Sequence, residues 1–397
     1  KIDSDTGAPL ANAWFRVRYL GGTSGSGGTI IGEYQTSSNG NIVITGLDAG
    51  TYVVEEISAP HGYVMDTAPQ TAYISGKEQD CITLTFTNSK YGAVLIKKVD
   101  SVTGEPLSDI QFFVTNSDGA VVGSSNGYFT TDSAGTILIP DLMPGTTLVV
   151  KETRTRPGYV LDEVPQTVKI DSNETKTLEF RNQPMGSLLI RKVCSVNPSV
   201  TLANAEFKVT YADGTVVGDS NGVYRSDENG EVRIDGLTPG RSVVVTETRA
   251  PAGFLIDTQS QTVMIQAGKT VSVTMKNQPK GQLIVQKRDS DTGDPLPGAQ
   301  FRITTAAGCE VGLDGVIGTS TLTQNGIFTT DSNGEIRITN LAPGAYVLTE
   351  IKAPAGYVMD SPSTNVVIGA NGDTQTVIVT NTKKGGLIIE KYDSVTR

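Results

Sequence analysis

The feature that most constrains this chain is a junction of constant length that recurs four times along it. Each junction begins at an asparagine, ends at a lysine ten positions later and carries an apolar run just before that lysine. The four junctions are Asn88–Lys98, Asn182–Lys192, Asn277–Lys287 and Asn381–Lys391. The segments between them vary in length, whereas the junctions do not. Self-similarity at a fixed long period predicts a tandem array of small domains.

The spacing of the lysines gives the size of each repeat. From Lys1 to Lys391, successive lysines are 97, 94, 95 and 104 residues apart, a normal size for one small β-domain. The chain has 44 glycines, many threonines and valines and few helix-period stretches, which favours an all-β protein rich in turns. We predict repeats over residues 1–91, 92–185, 186–280 and 281–384, the first without the front of its first strand, and the start of a fifth over 385–397.

Charge and composition exclude several classes of function. The net charge is -10 and no basic patch stands out, which argues against nucleic acid as a partner. No apolar run of about 18 residues is present, so we predict no membrane span, and no signal peptide or anchoring tail is visible. Three cysteines lie at different places in different repeats, and His61 is the one histidine. We therefore predict no disulfide framework, no metal site, no cofactor and no histidine-based catalytic set.

Alternating apolar runs between turn signals predict the strands of the first repeat. The hairpin signal Ser38-Asn-Gly40 separates two such runs, and the later repeats replay the same order. The predicted strands are Trp14 to Tyr19, Asn41 to Ile44, Thr51 to Glu56, Gln70 to Ile74 and Ile82 to Asn88.

Repeat four has a longer loop than its neighbours. Phe301 to Phe328 spans 27 positions, against 17 from Phe112 to Phe129 in repeat two. Loops tolerate insertions at low cost, so neutral drift is the favoured interpretation. The alternative is a binding surface grafted onto the loop from Gly308 to Asn325.

Three polar residues of each complete repeat fall on the apolar face of a predicted strand. Side chains alternate across a strand, so Lys98 shares a face with Ile96, and Asn182 shares a face with Phe180. In a middle strand, Glu152 shares a face with Val150 in the same way. The four trios are Lys1, Glu56 and Asn88; Lys98, Glu152 and Asn182; Lys192, Glu247 and Asn277; and Lys287, Glu350 and Asn381. Lys391 stands at the lysine position of the fifth repeat.

Two interpretations of the trios stay open at this stage. The first is a buried lysine–glutamate ion pair capped by asparagine, or strand ends whose polar tips reach water. The second is covalent. Desolvation lowers the pKa of a lysine and raises that of a glutamate, so a neutral amine would face the acyl carbon of an asparagine carboxamide. A protonated glutamate can polarise the carboxamide and move the proton as ammonia leaves, which gives a Lys–Asn isopeptide bond.

The order of motifs resembles the collagen-adhesin B-type (Cna-B, SpaA-like) repeat of Gram-positive surface proteins. The resemblance covers essentially the whole chain. Repeat three departs from the pattern at Cys194 and repeat two at Arg156. Repeat four carries the pattern most completely, in Lys287-Arg-Asp289, Pro295-Leu296, Ala299-Gln-Phe301, Gly344-Ala-Tyr346, Glu350, Ala353-Pro-Ala-Gly-Tyr357 and Asn381.

The resemblance implies a tandem array of transthyretin-like (Ig-like) β-sandwich domains. It also implies autocatalytic, single-turnover Lys–Asn cross-linking assisted by Glu56, Glu152, Glu247 and Glu350, with no enzyme activity on other molecules. The function favoured is a structural stalk of a bacterial cell-surface adhesin or fibre, with neighbouring repeats as its partners. The alternatives are a module that binds a host protein or glycan through its loops and a sortase-assembled pilus shaft subunit.

Two weaker signals have ordinary explanations. The aspartates Asp3, Asp5, Asp289 and Asp291 resemble the start of a calcium loop but lack its later ligands, so we interpret them as turn residues. Aromatic residues recur after each Pro-x-Gly or Pro-Gly and are interpreted as core anchors. These aromatic residues are Tyr63, Tyr159, Phe254 and Tyr357.

Overall fold

The computed structural model describes residues 1–21, 28–77, 80–311, 326–360 and 363–392. The chain divides into two compact units, Lys1–Pro184 and Met185–Arg397. Every regular element in the described ranges is a strand. No helix in these ranges is long and apolar enough to cross a membrane. The predicted all-β fold class is confirmed.

The first unit holds repeats one and two. Repeat one contains β1 (Ile2–Asp3), β2 (Trp14–Tyr19), β3 (Thr29–Gln35), β4 (Gly50–Ser58), β5 (Gln70–Ile74) and β6 (Thr87–Asn88). Repeat two contains β7 (Gly92–Asp100), β8 (Gln111–Asn116), β9 (Tyr128–Thr130), β10 (Thr136–Leu142), β11 (Thr147–Arg154), β12 (Gln166–Lys169) and β13 (Thr175–Asn182).

The second unit holds repeats three and four. Repeat three contains β14 (Gly186–Cys194), β15 (Glu206–Tyr211), β16 (Val223–Arg225), β17 (Glu231–Leu237), β18 (Ser242–Arg249), β19 (Gln261–Met264) and β20 (Thr270–Asn277). Repeat four contains β21 (Gly281–Asp289), β22 (Gln300–Thr305), β23 (Ile327–Thr329), β24 (Glu335–Leu341), β25 (Gly344–Lys352), β26 (Tyr357–Met359), β27 (Ser363–Ile368) and β28 (Thr374–Lys383).

Each complete repeat is a sandwich of two sheets. In repeat two, one sheet has the strand order β10-β7-β13 and the other β12-β11-β8-β9. The first and last strands of the repeat, β7 and β13, pair in parallel. Alternate residues of β7 point into the sandwich, where Val94 and Ile96 are fully buried. Repeats three and four have the same topology, with β26 added at the edge of the β24-β21-β28 sheet.

A glycine turn fixes the backbone of each lysine strand. The backbone N–H of Lys98 donates to the carbonyl of Gly135 at 2.8 Å. Gly135 has a φ of 70°, and a Cβ there would lie 2.6 Å from the carbonyl oxygen of Lys98. Only glycine fits this combination of a left-handed backbone and a close approach. Gly40, Gly230 and Gly334 stand in the same relation to the lysines of the other repeats.

Repeat one corrects two of the strand predictions. The strands predicted at Trp14 to Tyr19, Thr51 to Glu56 and Gln70 to Ile74 are confirmed. The strand predicted at Asn41 to Ile44 is wrong, and only Thr87–Asn88 of the strand predicted from Ile82 is present.

Both differences concern segments whose partner in repeat two includes residues before the lysine. There, β10 and β13 pair with β7, which begins six residues before Lys98. The sequence begins at Lys1, so the corresponding residues are not part of the described chain, and the lysine strand described in repeat one is Ile2–Asp3.

The inserted loop of repeat four was predicted to be neutral drift or a binding surface. Most of it, residues 312–325, lies outside the described residues. Residues 22–27 of the glycine-rich loop in repeat one do so as well.

Candidate isopeptide sites

Three strands from both sheets bring one trio together in repeat two. Lys98 lies on β7 and Asn182 at the end of β13, and the parallel register places Asn182 beside Asp100, two residues beyond the lysine. Glu152 lies on β11 in the facing sheet. All three side chains point into the sandwich because each occupies an inward position of its strand.

The carboxylate of Glu152 bridges the other two side chains. Its Oε2 lies 2.7 Å from Nζ of Lys98, and its Oε1 accepts a hydrogen bond of 2.7 Å from Nδ2 of Asn182. Nζ of Lys98 also donates to Oδ1 of Asn182 at 2.5 Å. One glutamate thus holds an amine and a carboxamide against each other.

The same triangle is present in the other three repeats. Nζ of Lys1 lies 3.1 Å from Glu56, and Nδ2 of Asn88 donates to that glutamate at 2.8 Å. The corresponding distances are 3.1 and 2.7 Å in repeat three and 3.1 and 2.7 Å in repeat four. In each repeat the lysine also donates to the asparagine Oδ1. These trios are Lys1, Glu56 and Asn88; Lys192, Glu247 and Asn277; and Lys287, Glu350 and Asn381.

The trios are dry. Lys98, Lys192 and Lys287 are each 0% exposed, and the side chain of Lys1 is also inaccessible. Desolvation lowers the pKa of each of these four lysines below its ordinary value, and the neighbouring glutamate only partly opposes the shift. Burial therefore favours the uncharged amine, which is the nucleophilic form.

Aromatic rings form one wall of each site. Nζ of Lys98 lies 5.9 Å from the ring centre of Phe112 and 5.8 Å from that of Phe180, and these two rings pack with centres 4.8 Å apart. One ring also flanks the lysine in repeats three and four, Phe207 and Phe301. The sequence showed these phenylalanines as repeat markers but gave no signal that they contact the lysines.

A loop that sequence reasoning did not connect with the trio lies over it. We call it the cover loop; it follows the glutamate strand and comprises residues 59–66, 155–162, 250–257 and 353–360 in the four repeats. In repeat two, Thr155 Oγ1 accepts a hydrogen bond of 2.8 Å from Nδ2 of Asn182. In repeats one and three, the backbone N–H groups of Asp66 and Asp257 donate to Oε2 of the glutamate at 2.8 and 2.9 Å.

Lys391 is the one predicted cross-link residue that is not part of a trio. It is exposed and makes no hydrogen bond or ion pair with another described residue. Residues 385–392 form no strand. The fifth repeat stays a prediction.

The remaining sequence signals have structural roles. Oδ1 of Asp3 accepts hydrogen bonds from the backbone N–H groups of Asp5 and Thr6, as expected for a turn residue. No group of three metal-ligating side chains occurs in the part of the chain that the structure describes. The cysteines are free, with Cys81 and Cys309 exposed and Cys194 buried.

Comparison with solved structures returns several bacterial pilins and the TIE protein of Bacillus anthracis. The Bacillus anthracis TIE protein is 21% identical over 94% of this chain and 69% of its own, with a TM-score of 0.35. A streptococcal ancillary pilin is 18% identical over 74% of this chain and 99% of its own, with a TM-score of 0.32. The shaft pilin spaA from Lactobacillus rhamnosus GG is 15% identical over 51% of this chain and 100% of its own, with a TM-score of 0.34.

Among curated proteins, no significant match to this chain was found. The SpaA family, described as a prealbumin-like fold domain, matches residues 1–90, 92–184, 186–279 and 281–383. These four matches span nearly the whole sequence and agree with the sandwich topology of the repeats. The chain belongs to the SpaA family and carries four of its prealbumin-like domains in tandem.

Proposed function

We propose that this chain is a structural stalk or shaft segment of a bacterial cell-surface fibre, stiffened by one Lys–Asn isopeptide bond in each of its four repeats. The observation that carries the proposal is the bridging glutamate. In every repeat, one glutamate oxygen faces the lysine amine and the other faces the amide nitrogen of asparagine. This arrangement joins the nucleophile to the leaving group through a single carboxyl group.

The proposed reaction moves two protons through that carboxyl group. In repeat two, Oε2 of Glu152 takes a proton from Lys98, and the neutral amine attacks Cγ of Asn182. The protonated glutamate, through Oε1, gives a proton to the amide nitrogen, and the second proton of the attacking amine returns to the carboxylate. A C–N bond forms to lysine, the bond to the amide nitrogen breaks, and ammonia leaves. The product is a neutral amide that no longer buries a charge.

The bond would alter both stability and extensibility. Lys98 and Asn182 are 84 positions apart, and closing a loop of that length stabilises a fold by roughly 4–5 kcal/mol in the chain-entropy model. Without the bond, the loop could extend by about 280–300 Å under tension. With it, force passes from the last strand through the constant junction to the lysine of the next repeat. We expect the chain to resist extension.

A pulling experiment on single molecules tests this function. The chain is held at its two ends and compared with a variant in which Glu56, Glu152, Glu247 and Glu350 are all replaced by glutamine. We expect the unchanged chain to show no unfolding steps and the variant to show one step of about 280–340 Å for each repeat that is still folded without its bond. Glu55→Gln, one residue from Glu56 on the outer face of β4, is the matched control and should behave like the unchanged chain. Stepwise extension of the unchanged chain would contradict the proposal.

A further inference from the structure

One pair of side chains fastens the cover loop to the lysine strand in three of the four repeats. The tyrosine hydroxyl of the loop donates to Oδ2 of an aspartate two residues beyond the lysine, at 2.8 Å in each case. The aspartates are 3 to 6% exposed. The pairs are Asp3 with Tyr63, Asp100 with Tyr159, and Asp289 with Tyr357. We call this contact the latch.

The aspartate of the latch is held rigidly by its own turn. Oδ1 of Asp100 accepts hydrogen bonds from the backbone N–H groups of Val102 at 2.6 Å and Thr103 at 3.0 Å, which leaves Oδ2 for the tyrosine. In repeat one, hydrogen bonding, chiefly from the backbone of Thr6, lowers the pKa of Asp3 to about 2. The acceptor is therefore ionised at neutral pH, which makes the bond to the tyrosine hydroxyl a strong one.

The latched loop continues directly to the reacting groups. In repeat two, Thr155 at the start of the loop holds Nδ2 of Asn182. Just after the latch tyrosine, the backbone N–H of Val160 donates to the carbonyl of Gln183, next to that asparagine, at 2.9 Å. The loop is thus fixed to the lysine strand by the latch and to the asparagine strand by these bonds.

Repeat three replaces both members of the latch together. Cys194 takes the place of the aspartate and lies beside Asn277 in the same strand register. Phe254 takes the place of the tyrosine and makes the same bridge to Pro279 that Tyr159 makes to Pro184. An aspartate opposite phenylalanine, or a tyrosine opposite cysteine, would leave a polar group without its partner in a buried site. The joint change avoids both penalties, and the backbone bridge from Phe254 to Pro279 keeps the loop in the same place.

We propose that the latch positions the cover loop for isopeptide formation, and that the Cys194 and Phe254 pair does the same in repeat three. This inference rests on the proposed cross-linking function. Aspartate and tyrosine touch no reacting atom, so they act as positioning residues through Thr155 and the loop backbone. A latch with one member missing leaves the carboxamide less well held and lets water reach the lysine, which slows the reaction.

The test follows bond formation repeat by repeat in the full chain. Pulse-labelled chain is made by cell-free synthesis, quenched at intervals and digested, and the cross-linked peptide of each repeat is quantified by mass spectrometry. Hydrogen exchange of the β7 amides reports separately when repeat two has folded. The variants are Tyr159→Phe, Asp100→Cys and the two combined, with Tyr128→Phe on an exposed ring of the same repeat as the control.

We expect each single variant to lengthen the delay between folding and cross-linking of repeat two by about tenfold, the effect of one unpaired buried polar group. The combined variant, which recreates the pair of repeat three, should return to within about threefold of the unchanged rate. Unchanged rates in Tyr159→Phe and Asp100→Cys, or a combined variant as slow as either, would overturn the latch. The cross-linking rates of the other three repeats, measured in the same molecules, serve as internal references. If no repeat of the unchanged chain cross-links, the proposed function fails instead.

Discussion

Repeats one and two carry the same trio on very different amounts of β-sheet. In repeat two the lysine strand has nine residues and lies between two partners. In repeat one the corresponding strand has two residues and one partner. The glutamate nevertheless meets the asparagine at 2.8 Å in repeat one and at 2.7 Å in repeat two. In both repeats the trio lies where the strand ends meet the glycine turn, and its geometry there is the same.

The cores of the two repeats differ as much as their sheets. Ala13, Phe15 and Phe86 form the buried cluster of repeat one among the described residues, whereas repeat two buries a cluster that runs from Val94 to Phe180. Repeat one also has an open cleft of about 400 Å³, and Val43 beside it is 81% exposed. In a polypeptide that begins at Lys1, a cross-link should therefore contribute more to the stability of repeat one, because there is less apolar burial to replace it.

Removing the cross-link should produce the largest difference in stability between the two repeats. In a polypeptide that begins at Lys1, we expect Asn88→Ala to unfold repeat one, because the small core described there cannot offset a loss of roughly 4–5 kcal/mol. Asn182→Ala should leave repeat two folded but less stable by that amount. Hydrogen exchange in urea measures both in the full chain. Equal protection from exchange of repeat one in Asn88→Ala and of repeat two in Asn182→Ala would contradict this prediction.

A substitution in the glycine turn should instead lower the stability of both repeats by a similar amount. An added Cβ would lie 2.4 Å from the lysine carbonyl oxygen in Gly40→Ala and 2.6 Å from it in Gly135→Ala. We expect each variant to lose about 1–3 kcal/mol, from the left-handed backbone and the close contact together.

The matched control for the glycine turn is Gly104→Ala. Gly104 also has a positive φ, of 77°, but a Cβ there meets nothing within 4 Å. It should therefore lose only the backbone part, about 1–2 kcal/mol. Urea unfolding measures all three variants. A loss confined to repeat two would show that the turn does not serve both sites.

The pH dependence of stability should reveal whether Lys98 is free. Desolvation lowers the pKa of Lys98 below 10.5 in the folded state. Between the lowered value and 10.5, the unfolded chain binds the proton and the folded chain does not, so stability rises with pH in that window. In Asn182→Ala, whose lysine is free, we expect this rise. In the cross-linked chain the lysine nitrogen is an amide, and the rise should be absent.

Urea unfolding of the cross-linked chain and of Asn182→Ala, at intervals from pH 7 to 10.5, measures how the stability of repeat two changes with pH. Tyr159, whose pKa is raised by burial, is present in both chains, so the difference between the chains isolates the lysine. The same slope in both would mean that Lys98 is not acylated.

The smallest predicted effect concerns acid and extends the comparison to repeat three. Hydrogen bonds lower the pKa of Asp3 from 3.8 to about 2, so the stability that it contributes is present above pH 3.8 and is lost as the pH falls toward 2. Repeat three, with Cys194 at this position, has no such loss. Thermal melts at pH 4 and pH 2 should show less acid destabilisation of repeat two in the combined Asp100→Cys, Tyr159→Phe variant than in the unchanged chain. Equal acid sensitivity would contradict this assignment.

The trios could be predicted from the sequence because strand alternation is a local property. Lys98 follows two apolar residues at alternate positions, so its inward direction needs no knowledge of the partner strand. The strand predicted at Asn41 to Ile44 failed for the opposite reason. Its apolar pattern is as good as that of β10, but β10 pairs with residues that precede Lys98, and the sequence begins at the corresponding lysine, Lys1.

The cover loop could not be predicted from local pattern either. Thr155 and Asp66 reach the site through loop backbone conformation, which leaves no periodic signal in the sequence. The latch does leave one signal in the sequence. Repeat three changes both the aspartate and the tyrosine, to Cys194 and Phe254, and such a joint change within one chain indicates a contact. In the sequence alone, Cys194 is a departure from the motif and Phe254 is one of the recurring aromatic residues, and no local pattern connects them.

The most direct test of the account is the intact mass of the denatured chain. Denaturation removes every non-covalent contact, so the mass reports covalent bonds alone. We predict a deficit of one ammonia for each trio, four in all. Substituting Glu56, Glu152, Glu247 or Glu350 by glutamine should each restore one ammonia. A mass equal to that of the unmodified sequence would contradict the covalent account and leave four buried ion pairs in an ordinary β-repeat spacer.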